Sequence, residues 1–144
     1  MRTALCSSVL ILLYRKQPGW EAWRNSLQLA ALEGELIISP IAFAEFSIAY
    51  PSVESALADL DRLHIFYDPI TPAAAYRAGQ IFLRYRREGG PRQHLIPDFL
   101  IAAHASVQAD RLAAIDVASR LRLDEIVGAS RDIHECVDAA RDGA

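Results

Sequence analysis

The sequence has no surplus of positive charge. Fifteen Lys and Arg stand against eighteen Asp and Glu, for a formal net charge of −3. That excludes a global basic field drawing the chain to nucleic acid or an anionic membrane, so any polyanion must be met by a local patch. Cysteine is scarce: Cys6 and Cys136 lie near opposite ends. They lack metal-ligand spacing, one bridge is the most they could form, and nothing else points to a secreted disulfide scaffold. No stretch reaches the ~20 apolar residues that cross a bilayer. There is no phosphate-loop motif, no G-x-G-x-x-G and no H-E-x-x-H, and His64, His94, His104 and His134 show no metal-ligand spacing. No repeat, linker or low-complexity segment divides the chain.

What is present is a chain of 144 residues, 52% hydrophobic and 23% charged. That suits one ordinary domain with a real core. The opening MRTALCSSVLILLYRK has one basic residue ahead of a short apolar run, as a signal peptide does. No clean A-x-A site follows, and Tyr14-Arg15-Lys16 ends the run, so it reads as a buried strand entering a helix. The expected location is cytoplasmic.

Strand and helix signals alternate along the chain. Thr3 to Ser7 is a short apolar strand, with Ser7 or Ser8 available to cap the next helix. Pro18 to Leu32 has helical spacing, with Pro18 as a first-turn residue. Leu36-Ile37-Ile38 is a continuous apolar run, as in a strand covered on both faces. Ser39-Pro40 opens a helix, and Ser52 caps another whose stripe is Val53, Ala56-Leu57, Leu60 and Leu63. His64 to Tyr67 is a third strand. Thr71-Pro72 starts a helix to about Arg87, stopped by Gly89-Gly90. Pro97 to Ala109 is a helix and Leu112 to Ile115 a strand, followed by a weaker pattern in which Ser130 caps a last helix. This predicts a single α/β domain over 1–144 with a mainly parallel central sheet flanked by helices.

Three acids fall where such a sheet gathers its ligands, beyond the carboxyl ends of the strands. Asp116 ends a strand. Asp98 opens the apolar helix PDFLIAAHA. Glu45 lies one turn into IAFAEF among Phe43, Ala44 and Phe46. Carboxylates converging in one place raise one another's pKa, and a hard divalent cation such as Mg²⁺ removes that conflict. Each acid also has a plain reading. Asp98 suits a first helical turn through the helix dipole, at about 0.3–1 kcal/mol. Glu45 suits an exposed helix face, and Asp116 suits a turn. His104, six residues after Asp98, is off its face and reads as a packed or surface histidine.

The stretches CSSVLI, PGWEAW, LIISPIAFAEF, RREGGPRQHLIPDFLIAAHA and RLAAID together resemble the PIN-domain ribonucleases, in particular the VapC toxins of bacterial toxin–antitoxin pairs. The resemblance covers about residues 3–116 and is most specific at PDFLIAAHA and AEF; residues 117–144 match poorly. It implies a PIN-like fold and a Mg²⁺- or Mn²⁺-dependent endoribonuclease cutting structured RNA, often transfer RNA, by a metal-activated water. It also implies a small VapB-like antitoxin whose C-terminal segment blocks the cleft, and frequently a homodimer. Position by position, Glu45, Asp98 and Asp116 fall on three of the family's four acidic positions. Cys6 stands where the family has its first aspartate, with Ser7 and Ser8 in register. Ala114 replaces the usual threonine of the fourth motif. Leu12 replaces an acid of the first helix.

A thiol with an ordinary pKa near 8.5 is mostly neutral at pH 7, and neighbouring carboxylates push it higher. Mg²⁺ has little affinity for sulfur. Weaker metal binding is therefore expected than with four carboxylates. The chain either works with three acids, or keeps the fold as a non-catalytic binder of RNA or an antitoxin, or carries at Cys6 an engineered or oxidisable position. The simplest reading of the thiol itself is a small buried hydrophobe at a strand end.

Arg84, Arg86, Arg87 and Arg92 crowd the approach to Asp98, with Tyr85 among them and Glu88 as the offset. They read either as a solvated helix face or as a phosphate-binding edge for an RNA strand, single-stranded loops fitting better than duplex.

Overall fold

The computed structural model describes residues 1–90 and 97–115. Ten elements follow in order. They are β1 (Thr3–Leu5), α1 (Ser7–Arg15), α2 (Trp20–Glu33), β2 (Leu36–Ile38), α3 (Pro40–Ser47), α4 (Val53–Arg62), β3 (Ile65–Tyr67), α5 (Pro72–Arg87), α6 (Pro97–Gln108) and β4 (Arg111–Ala113).

The strands form one parallel sheet in the order β3-β2-β1-β4. Register is tight. Ala4 pairs with Ile37 on one side and Leu112 on the other, and Ile37 pairs onward with Phe66. The apolar runs of β1 and β2 are covered on both faces, as all-parallel strands require, and every residue of both is buried. The edge strand β3 buries Ile65 alone.

The main core gathers Leu5, Val9, Leu10, Ile37, Ile38 and Leu60 around the sheet. A smaller cluster of Ala78, Ile81, Phe99 and Ala103 joins α5 to α6. Phe82 and Tyr85 close it, their rings 6.0 and 5.2 Å from that of Phe99.

Several boundaries differ from the sequence expectation, each for a local reason. The first strand ends at Leu5, and Cys6 is the N-cap of α1 with no side-chain capping bond. Ser7 and Ser8 are helical residues, not caps. Helix α2 starts at Trp20 rather than Pro18. Gly19 caps it at φ +90°, a left-handed conformation that separates Pro18 from the helix and suits glycine. Ser39, Ser52 and Thr71 cap α3, α4 and α5 as their types favour, each accepting from the backbone N–H three residues on. The α4 stripe buries Ala56 and Leu60, whereas Val53, Leu57 and Leu63 are exposed. His64 takes φ +54° and precedes β3 instead of joining it. The expected helix opened by Ser130, together with Cys136 and His134, lies outside the described residues, as do Arg92 and His94.

Strand order places the site. From β1 the chain moves to β2 and β3 on one side, then returns to add β4 on the other. The topological switch point therefore lies between β1 and β4, and the crevice beyond their carboxyl ends is where open parallel sheets bind ligands. Cys6 and Ile115 lie at that crevice.

Candidate functional site

The crevice is tied together by short bonds. The Cys6 amide donates to the Ala113 carbonyl at 3.0 Å, joining the ends of β1 and β4. The Ile115 amide donates to Ser8 Oγ at 3.5 Å. The Ser7 hydroxyl, which sequence reasoning offers as a cap, instead donates to Glu45 Oε1 at 3.2 Å. Cys6 Sγ stands 3.9 Å from the same hydroxyl.

Helix α3 brings Glu45 here. Ser39 and Pro40 start that helix directly after β2, so its second turn lies above the sheet's carboxyl edge. Ala42 and Phe46 bury the face beneath while Glu45 remains half-buried. A partly desolvated carboxylate needs a donor, and Ser7 supplies one. Cys6 is 2% exposed, which matches the buried-hydrophobe reading of the thiol.

Asp98 is exposed in the first turn of α6, a helix that packs against α3, β1 and β4. It takes no part in the Cys6–Ser7–Glu45 chain. Asp116 lies outside the described residues. Among the described residues no group of three or more His, Cys, Asp and Glu is arranged to hold a metal ion. The donors that are placed suit a hard divalent cation in kind, since Glu45, Ser7 and Asp98 offer oxygen; the Cys6 sulfur does not.

The arginines divide. Arg84, Arg86 and Arg87 occupy the last turn of α5 and are exposed. Arg84 pairs with Glu88 at 3.2 Å, and Arg86 donates to the Gly90 carbonyl at 3.1 Å. Tyr85 packs inward on Phe99 and is half-buried.

A second polar cluster escaped sequence reasoning. Asp68, directly after β3, accepts from His104 Nε2 at 2.8 Å and from Gln108 Nε2 at 2.9 Å, both at Oδ2. Arg2 approaches its other oxygen at 3.5 Å. Burial lowers the His104 pKa, and the Asp68 carboxylate opposes that without overcoming it. The rule that singles out Asp116, an acid at a strand's carboxyl end, applies equally to Asp68. The Tyr50 hydroxyl is raised well above its ordinary value by burial first and by its 2.6 Å bond to Asp59 second.

The family model for the PIN domain matches residues 7–120. The chain belongs to the PIN domain family. The match bears out the PIN-like fold that the sequence resemblance implied. Solved structures agree on the fold. VapBC2 from Rickettsia felis, bound to a DNA fragment from its promoter, superposes with TM-score 0.68 at 21% identity, covering 85% of this chain and 92% of that one. VapBC-1 from nontypeable Haemophilus influenzae superposes with TM-score 0.64 at 18% identity, covering 87% and 94%. No curated protein matches the sequence. Among the described residues of this PIN-domain chain, no helix is long and apolar enough to cross a membrane.

Proposed function

We propose that this PIN-domain chain is a VapC-like toxin, a Mg²⁺- or Mn²⁺-dependent endoribonuclease that cuts structured RNA, transfer RNA included. The observation that carries the reading is the Ser7–Glu45 bond of 3.2 Å at the switch point between β1 and β4. A half-buried carboxylate near the carboxyl edge of a parallel sheet, on the glutamate that the family resemblance selects, supports a ligand site there.

In this reading Glu45, Asp98 and Asp116 hold the cation. When bound there, a divalent cation would supply an activated water and charge compensation at the scissile phosphate. Ser7 keeps the Glu45 carboxylate oriented. The buried Cys6 fills the strand end without serving as a ligand, so metal is held more weakly than by four carboxylates. Arg84, Arg86, Arg87 and Arg92 offer positive charge to the RNA backbone. The VapBC pairing of both structural relatives supports a small VapB-like antitoxin as partner, and a homodimer is the proposed assembly.

The test is cleavage of a fluorogenic RNA with Mg²⁺ or Mn²⁺, using Asp98→Asn as the blank and Cys6→Asp alongside. Cleavage by the parent above the blank is expected, and chelation should abolish it. A second reading is favoured by one observation, the sulfur at the first-ligand position: a non-catalytic PIN module that binds RNA or an antitoxin. Cleavage by Cys6→Asp alone would select it.

A further inference from the structure

Helix α5 carries four arginines between Pro72 and Arg87 and no acid. Basic residues in a last turn are ordinary, because they complement the helix dipole. Arg84, Arg86 and Arg87 satisfy that explanation. Arg77 does not, since it lies nearly three turns before the helix end, about 15 Å away at 1.5 Å per residue. It is nevertheless aligned with two of the others. At about 100° per residue, Gln80, Arg84 and Arg87 fall within one quadrant of Arg77, whereas Arg86 is on the opposite side. The structure bears this out. Arg77, Gln80, Arg84 and Arg87 line one open cleft of about 230 Å³, together with Ile81 and Leu83. Arg86 turns instead to the Gly90 carbonyl.

The cleft runs along the helix whose carboxyl end reaches the start of α6. Phe82 and Tyr85 of α5 pack on Phe99 of α6, so the carboxyl end of α5 lies beside the amino end of α6, where Asp98 stands. A row of guanidinium groups along about 15 Å suits an extended polyanion, because each fork can grip one phosphate by two parallel bonds. The Arg84–Glu88 pair does not block this, since both side chains are 54% exposed and such pairs are weak and easily exchanged.

We infer that the Arg77–Gln80–Arg84–Arg87 face of α5 is a phosphate track that guides single-stranded RNA toward Asp98, and that Arg86 is not part of it. The inference rests on the ribonuclease reading for its ligand but not for its residues. It narrows the proposed RNA-binding set by removing Arg86 and extends it by Arg77 and Gln80.

The test measures binding, not turnover. A fluorescein-labelled 12-nucleotide RNA of mixed sequence is titrated with the full chain in EDTA across a salt series. Each lost phosphate contact on a single strand should reduce the log–log salt slope by roughly 0.7. Arg77→Gln and Arg87→Gln are each expected to do so and to weaken binding roughly threefold to tenfold. Arg15→Gln, at the exposed end of α1 and outside the cleft, is expected to match the parent. Thermal melts guard against misfolding, and Arg87, exposed at the helix end, serves if Arg77→Gln melts early. Parental slopes for both Arg77→Gln and Arg87→Gln overturn the track, and so does a parent that binds no RNA. If the slopes fall as expected while Mg²⁺ or Mn²⁺ gives no cleavage, the track stands and the catalytic reading falls.

Discussion

His104 Nε2 donates to Asp68 Oδ2 at 2.8 Å, joining the middle of α6 to the turn after β3. A carboxylate only accepts, so the proton sits on Nε2. Gln108 completes the joint. Its Nε2 donates to Asp68 Oδ2 and to the Pro69 carbonyl, both at 2.9 Å, and its Oε1 accepts from the Thr71 amide at 3.0 Å. This one helix therefore carries Asp98 at its start and a fully used amide at its end.

The pair makes stability depend on pH. Burial holds the His104 pKa below its ordinary 6.5, with Asp68 and Arg2 as the charged groups facing it. A depressed pKa means that the unfolded chain takes the proton more readily. The contribution is fully present above about 6.5, declines as pH drops below that, and is lost once pH has passed the lower folded value. Thermal melts from about pH 7.5 down to 5 should show falling stability. His104→Gln should flatten that decline, and an unchanged slope would exclude His104 as its source.

Asp68→Ala should destabilise by about 1–3 kcal/mol, because it strands two donors that share one oxygen. Asp68→Asn should cost less, since one amide orientation still presents an oxygen to both. Urea denaturation of the two variants measures the difference.

Ser7→Ala should hardly change stability, because its partner Glu45 is only half-buried. It should weaken metal-dependent cleavage roughly tenfold, as loss of a residue that orients a ligand does. Calorimetric Mn²⁺ titration separates metal loss from a defect in turnover. Equal affinity in variant and parent would remove Ser7 from the site.

Cys6→Ala should leave cleavage at the parental level if the thiol is only a small buried group. Cys6→Asp should raise the apparent Mg²⁺ affinity and cost stability without metal, because it puts a charge at a residue only 2% exposed. Melts with and without Mg²⁺ give both numbers, and a metal-independent Tm for Cys6→Asp would show that position 6 does not face the ion.

Gly90→Ala should destabilise by about 1–3 kcal/mol, because the strain of an added methyl must be absorbed by repacking. A Cβ there would meet the Tyr85 ring at 2.3 Å. That ring is packed on Phe99 and cannot simply swing away. Near-ultraviolet circular dichroism of the tyrosine should change with it.

The chain's own pattern pointed to the parallel α/β domain, because short apolar runs such as Leu36-Ile37-Ile38 alternate with helical segments and suit covered strands. It also marked Ser39, Ser52 and Thr71 as caps, since capping is local chemistry. The placement of Glu45 was legible too, as an acid among phenylalanines soon after a strand. What stayed hidden depended on distant partners. Nothing near Ser7 in sequence says that its hydroxyl will leave the helix end for Glu45, 38 residues away. Nothing near Asp68 announces His104, 36 residues on. Four crowded arginines look alike in a string, and only the turn of α5 parts Arg86 from Arg84 and Arg87 and brings in Arg77. Short-range propensities are written in neighbouring residues. Side-chain partnership across a parallel sheet is set by strand order and helix rotation, and those are decided only when the whole core packs.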